Sequence, residues 1–364
     1  MKAALAAAYA HGPGKAITPG PAPEIPVQRG IRRPLPDLPV ARLLTDVLGP
    51  GRWEPWNQYN DHRAYPSPRS AYLVDVDVVA GDRRWPVDPV RRATIGGPVP
   101  WETVSRLEFR GRPDRISTGY GSFADALVEL ETGHLAAALV EYAPRHGLAA
   151  IADEDGVTLR PGPQWTFPLP ARSSGLGPRG LGADPRPLPA AALATFCEAV
   201  ARLPHGTLTA PELRYRLAVR NVLGVDDGWY TVDPFKAVKP GSAMDSVQAA
   251  FGHARDLVDV GGMNLALVVT ADVPAAVTAS GPGAYPALLR AAGACAQHAS
   301  TAAAHAGLFC RPVRSVEDPL LEAAVDAPMA HSLLYVLLAG RPRVLGFPYD
   351  LTPLVRSNEE ATTR

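Results

Sequence analysis

One sixteen-residue stretch, Gly293 to Leu308 (GACAQHASTAAAHAGL), restricts the fold more than any other. Its small side chains recur at helical spacing and no proline interrupts them. That pattern predicts a helix pressed closely against its neighbours, with glycine near its C-terminal end. An echo lies upstream, from Gly133 to Leu148 (GHLAAALVEYAPRHGL). Both stretches open with glycine and close with Gly-Leu, so that Gly133 and Gly147 match Gly293 and Gly307. Ala136 then matches Ala296, and Ala143 matches Ala303. A repeated central helix implies one fold written twice.

Other anchors repeat in the same order. Pro39 suits the first position of a helix carrying Leu43, Leu44 and Val47 on one face, and Gly49 stops it. Arg186-Pro187-Leu188-Pro189 echoes Arg33-Pro34-Leu35-Pro36, and a second such helix follows it. Tyr72, Val74, Val76 and Val78 alternate with Leu73, Asp75 and Asp77, the signature of a strand with one apolar face. Leu213, Tyr215, Leu217 and Val219 repeat that alternation, with Arg214, Arg216 and Arg220 read as a solvated face. Val232-Asp233-Pro234 echoes Val87-Asp88-Pro89, and the segment Trp85 to Pro89 reads as a turn. Further strands are expected at Val104 to Phe109, Leu265 to Thr270 and His331 to Ala339, and a strand or hairpin at Ile151 to Leu159. The resulting division is an N-terminal arm (1–30), a first half (31–160), a Pro/Gly-rich linker (161–185) and a second half (186–364).

Charge narrows the function. Lys plus Arg and Asp plus Glu both number 36, so nothing favours nucleic acid or an anionic membrane. No apolar run is long enough for a transmembrane helix. Three cysteines, Cys197, Cys295 and Cys310, make no disulfide framework, which leaves a cytoplasmic protein as the expectation. Cys295, His298, His305 and Cys310 match no common zinc spacing, so no metal is expected. Gly175, Gly177 and Gly180 spell GxGxxG, but they follow no strand and enclose Pro178, so they are read as linker rather than a dinucleotide loop.

The order of elements resembles the flavin-dependent nitroreductase superfamily, and within it the azoline oxidases, which aromatise thiazolines and oxazolines in peptide natural products. The residues that carry the resemblance are Arg63-Ala64-Tyr65-Pro66-Ser67, Tyr72 and Gly133-His134-Leu135 in the first half. In the second they are Gly228 to Pro234, Gly293, Gly307-Leu308, Arg311-Pro312-Val313 and Gly340-Arg341-Pro342. The resemblance implies an α+β fold of two tandem nitroreductase-like halves, each a mostly antiparallel sheet flanked by helices, together forming an internal pseudo-dimer.

It also implies FMN held between the halves. The Pro-Ser loop would come from the first half (Pro66, Ser67, Arg69, with Arg63 nearby). The opposite wall would come from Arg186, Gly293, Arg341 and Arg343 of the second. Arg forks and a Ser hydroxyl suit a phosphate dianion. Arg63 and Arg69 are equally readable as cations stacked on aromatic rings. The mirror-image site, around Gly206 to Thr209 with Arg33 and Gly133 and with Arg160 as the nearby basic candidate, lacks the Pro-Ser pair, so at most one flavin per chain is expected. Azoline oxidases carry a Lys-Tyr pair before the long helix. Here Tyr120 and Tyr285 remain but the lysine does not, so no general base is assigned. The resemblance implies an FMN-dependent oxidoreductase acting on a small molecule or modified peptide, an azoline or a related peptide-derived substrate, beside biosynthetic partner proteins. The alternative is a flavin-free scaffold of the same fold in a peptide-modifying complex.

Overall fold

The computed structural model describes residues 29–54, 62–165, 169–177, 180–202, 213–253, 255, 258–343 and 349–351. Most of the expected arm and all of Gly206 to Thr209 lie outside them.

In the first half, helix α1 (Pro39–Leu48) starts on its proline and ends at Gly49, whose N–H donates to Thr45 O. The first half has seven sheet strands, of which β2, β5, β6 and β7 match the expected ones: β1 (Arg32–Pro34), β2 (Val74–Ala80), β3 (Arg83–Asp88), β4 (Ala93–Ile95), β5 (Arg106–Gly111), β6 (Leu148–Ala152) and β7 (Gly156–Pro161). They form one antiparallel sheet in the order β1-β4-β3-β2-β5-β7-β6. The alternation along β2 places Val74, Val76 and Val78 in the core. Asp75 and Asp77 point to a charged outer face with Arg110 and Arg112. The turn expected at Trp85 to Pro89 is instead mostly strand. Trp85 pairs with Val78 and Val87 with Thr94. Two prolines obscured a period-two pattern in which Trp85 and Val87 are buried.

Helix α2 (Phe123–Tyr142) is the first central helix. Pro144 ends it in a single tighter turn, Ala143–His146. Helix α3 (Ala190–Ala201) repeats α1, and α4 (Ala284–His305) is the second central helix. Gly147 and Gly307 both adopt positive φ, 68° and 70°, at the helix ends.

The two central helices cross glycine to backbone. A Cβ on Gly133 would lie 1.9 Å from Arg290 O, and a Cβ on Gly293 would lie 2.0 Å from Leu130 O. The contacts are reciprocal under the sequence echo, since Gly133 corresponds to Gly293 and Leu130 to Arg290. Reciprocity of that kind marks a two-fold axis, here an internal one. One hydrophobic core runs across it, from Leu43 and Val76 through Leu135 and Ala296 to Leu337.

The second half contributes β8 (Arg214–Val219), β9 (Gly228–Thr231), β10 (Lys236–Pro240), β11 (Leu265–Asp272), β12 (Phe309–Val313) and β13 (His331–Gly340). Their antiparallel order is β10-β9-β8-β11-β13-β12. Strand β11 is apolar from Leu265 to Val269 because both its faces are covered there. Leu265, Leu267 and Val269 join the central-helix core, while Ala266 and Val268 pack with Met244, Val247 and Leu321. The last three belong to outer helices Ala243–Ala250 and Asp318–Ala324. Among the described residues no helix is long and apolar enough to cross a membrane, and no group of three or more His, Cys, Asp or Glu could hold a metal ion.

Candidate active site

A cavity of about 760 Å³ opens between the halves. From the first half it takes the Pro66–Ser70 loop and one face of α2, where Phe123, Leu127, Leu130, Glu131 and His134 follow helical spacing. From the second half it takes Arg311 to Ser315 along and beyond β12, and Tyr335 of β13. Arg172, Ser174 and Leu176 close it from the stretch read as linker.

That stretch is packed in place. Ser173 O accepts from Cys310 N at 2.9 Å, and Gly175 lies against the Phe309 ring, where a Cβ would come within 2.5 Å. Composition alone suggested a spacer, but Arg172 reaches the cavity and its Nε donates to Ala64 O at 3.2 Å. Burial, with the charge of Arg52 adding to it, lowers the proton affinity of Arg172 to a pKa of about 10.

The Pro66–Ser70 loop is held in unusual backbone geometry, with Arg69, Ser70 and Tyr72 all at positive φ. Ser67 anchors it. Its hydroxyl accepts from Tyr72 N at 2.7 Å and donates to Glu131 Oε2 at 2.6 Å. Arg69 stacks over the Tyr120 ring at 5.0 Å, and Arg63 over the Tyr72 ring at 3.6 Å. Both arginines are therefore aromatic-stacked, and Arg69 also lines the cavity.

Two titratable groups on the cavity-lining face of α2 are shifted strongly. Burial raises Glu131 to a pKa of about 7, against the pull of Ser67, Arg63, the Leu73 backbone and Arg115. Burial lowers His134 to about 3, so its imidazole is neutral, and its Nε2 lies 3.1 Å from Tyr335 Oη. Sequence reasoning named neither as a site residue. The signal was present in part: a glutamate and a histidine three apart within the largely apolar run from Leu127 to Val140, away from the helix ends where charge is ordinary.

Of the residues expected to bind cofactor, the cavity brings together Pro66, Ser67 and Arg69. Arg63 sits buried behind them. Gly293 lies at the helix crossing instead. Arg186, Arg341 and Arg343 do not line the cavity. Arg186 is paired with Asp184 at 2.8 Å, Arg343 with Asp259 at 2.8 Å, and Arg341 Nη2 donates to Pro187 O at 3.3 Å. The arginines that line the cavity opposite the Pro66–Ser70 loop are Arg311 and Arg314 of the second half and Arg172 of the stretch read as linker, and Arg314 is forked onto Asp318.

No family model and no curated protein matches the sequence. Shape is more informative. A protein of Anabaena variabilis assigned as a nitroreductase superposes over 89% of this chain and 94% of its own, at TM-score 0.67 and 14% identity. The fold is that of the nitroreductases. Shorter likenesses cover about half of the chain. One is the E. coli microcin synthetase complex McbBCD, at TM-score 0.38 and 17% identity over 50% of this chain and 76% of that one. Another is a Desulfovibrio desulfuricans nitroreductase in complex with FMN, at TM-score 0.32 and 17% identity over 48% and 85%. The nitroreductase fold accounts for the two antiparallel sheets and the helices that flank them.

Proposed function

We propose that this chain is an FMN-dependent oxidoreductase with a single composite site between its halves. The observation that carries the reading is the cavity itself. It falls within the size of small-molecule sites. One part is apolar, from Phe123, Leu127, Leu130 and Pro312, and suits a flat ring system. Another part is cationic, and Arg172 there is a buried guanidinium with no carboxylate within ion-pair distance among the described residues. A phosphate dianion supplies the missing counter-charge. When bound, FMN supplies the two-electron acceptor. The chain's own residues then bind and orient. Arg172, Arg311 and Arg69 hold the phosphate, the Pro66-Ser67 loop fixes one edge of the ring, and the apolar face of α2 excludes water.

The narrower reading is an azoline or related peptide-derived substrate. Tyr120, which corresponds to the tyrosine of the Lys-Tyr pair, does line the cavity, and Gly119 stands where the lysine would be. The decisive experiment is the absorbance spectrum of the purified protein, followed by titration with FMN. A band near ~450 nm, a general property of oxidised flavin, with one equivalent bound per chain is the expected result. A colourless protein that takes up no FMN refutes the reading and supports a flavin-free scaffold.

A further inference from the structure

The cavity holds one carboxyl group for which the flavin reading has no use. Glu131 is 1% exposed and lines the cavity from the middle of α2. Its two oxygens are not equivalent. Oε2 accepts from the Ser67 hydroxyl, whereas Oε1 has no hydrogen bond of normal geometry among the described residues. The Leu73 backbone approaches the carboxyl without making a hydrogen bond of normal geometry, and a buried carboxyl oxygen so poorly satisfied is costly in a purely structural role, because removing it would relieve the desolvation penalty.

We propose that Glu131 is the proton-accepting residue of this site, taking at Oε1 the proton that leaves a C–H bond of the bound substrate. The inference rests on the oxidoreductase reading and supplies the base that the absent lysine leaves open. For a thiazoline ring, the C–H bond next to the ring nitrogen breaks and its proton passes to Oε1. The neighbouring C–H bond breaks and its hydrogen, with both electrons, passes to oxidised flavin. A C=C bond forms between the two carbons, and the proton on Glu131 later returns to water.

The surroundings suit a group that changes charge. Arg63 and Arg115 face the carboxyl and favour its ionised form, as do the Ser67 hydroxyl and the Leu73 backbone. Tyr65 and Tyr335 face it from the loop and from β13, and burial raises both phenols far above working pH. His134, one turn along α2, stays neutral. Burial outweighs the arginines and brings the carboxyl to about 7, where both its forms are populated at neutral pH. The sequence echo places Ala291 at the equivalent point of α4, so the second half offers no matching carboxyl there.

The test uses the FMN-loaded full chain, wild type and Glu131→Gln, with a thiazoline-bearing model peptide as probe. Anaerobic bleaching of bound FMN is followed across pH, and the glutamate carboxyl carbons are titrated by 13C NMR. Glutamine keeps an acceptor for Ser67, so FMN affinity should stay within about tenfold of wild type. Bleaching at pH 8 should slow by about 100-fold or more, and the wild-type acid limb should vanish. Bleaching of Glu131→Gln at the wild-type rate overturns the proposal. If the peptide bleaches neither protein, the azoline reading fails and the carboxyl titration decides alone. A glutamate titrating near neutrality and lost in the variant supports Glu131, while complete ionisation below pH 5 overturns it.

Discussion

Gly133→Ala measures how closely the two halves are joined. The new Cβ would sit 1.9 Å from Arg290 O and 2.9 Å from Ala294 N. Ordinary contact begins at 3.4 Å, so the shortfall to Arg290 O is 1.5 Å. Both obstructing atoms are backbone, and no side-chain rotation relieves them. The helices must move apart, which opens the core on both sides of the crossing. Overpacking of this kind costs about 3 kcal/mol, the upper end of the usual range. Alanine returns about 1 kcal/mol through helix propensity. The net loss is about 2 kcal/mol. With an m-value of about 4 kcal/mol/M for a chain of this size, the urea midpoint should fall by about 0.5 M. Gly283→Ala is the matched comparison, because Gly283 has helical backbone angles and nothing within 4 Å of a Cβ. It should stay within about 0.5 kcal/mol of wild type. Far-UV circular dichroism at 25 °C reads both. Equal midpoints for Gly133→Ala and Gly283→Ala would refute the close crossing. Because Gly293 meets the same pair of helices, the double variant should lose less than the sum of the single losses.

Three further outcomes are expected. Ala303→Leu fills a fully buried site on α4 and should cost about 1–3 kcal/mol in urea unfolding, and an unchanged midpoint would show that face to be open. Arg172→Ala should weaken FMN binding by about 10- to 100-fold in a fluorescence titration, whereas Arg186→Ala and Arg343→Ala, whose guanidiniums are paired elsewhere, should not; equal losses in all three would place the phosphate outside the cavity. The folded protein holds the Glu131 proton up to about pH 7, while the unfolded chain releases it near 4.5, so this group lowers stability as pH rises between those values, by about 3 kcal/mol in total. His134, lowered from 6.5 to about 3, acts in the opposite direction below 6.5, so the readout is the difference between wild type and Glu131→Gln: the variant should gain relative stability as pH rises from 4.5 to 7, and a constant difference would show that Glu131 is ionised throughout.

The central helices were legible in the sequence because their function in the fold is steric. Only glycine and alanine permit that approach, and they leave a direct mark at 133, 136, 293 and 296. The long inner strands β2, β8, β11 and β13, with β5 and the β6–β7 hairpin, were legible through alternation or continuous apolar runs, whereas β1, β4, β9, β10 and β12 are three to five residues long, too short to show a period, and Pro86 and Pro89 hid the period of β3. The site was only partly legible. Pro66 and Ser67, named through the resemblance, line the cavity. Arg172 was hidden because a Pro/Gly-rich composition says nothing about whether a stretch packs. Arg343 looked available because Asp259 becomes its partner only in three dimensions, Arg341 turns to Pro187 O, and the Asp184 partner of Arg186, two residues away in the sequence, went unweighed. Glu131 and His134 were visible as polar residues in a largely apolar run of helix, yet only the fold shows that they face a cavity.

The pseudo-two-fold axis has a consequence for how this protein can change. In a homodimer every substitution appears twice, once in each site, and a residue that suits one wall must also be tolerated wherever its copy falls. Here Glu131 and His134 face Ala291 and Ala294 across the echo. One helix can carry a carboxyl and an imidazole while its twin stays small enough to pack. The two walls also meet in a fixed one-to-one ratio at any dilution, since joining them in one chain removes the concentration dependence that governs subunit assembly. Fusion thus separates the requirement for symmetry at the helix crossing, where both glycines persist, from the chemistry a few residues away, where the halves are free to differ.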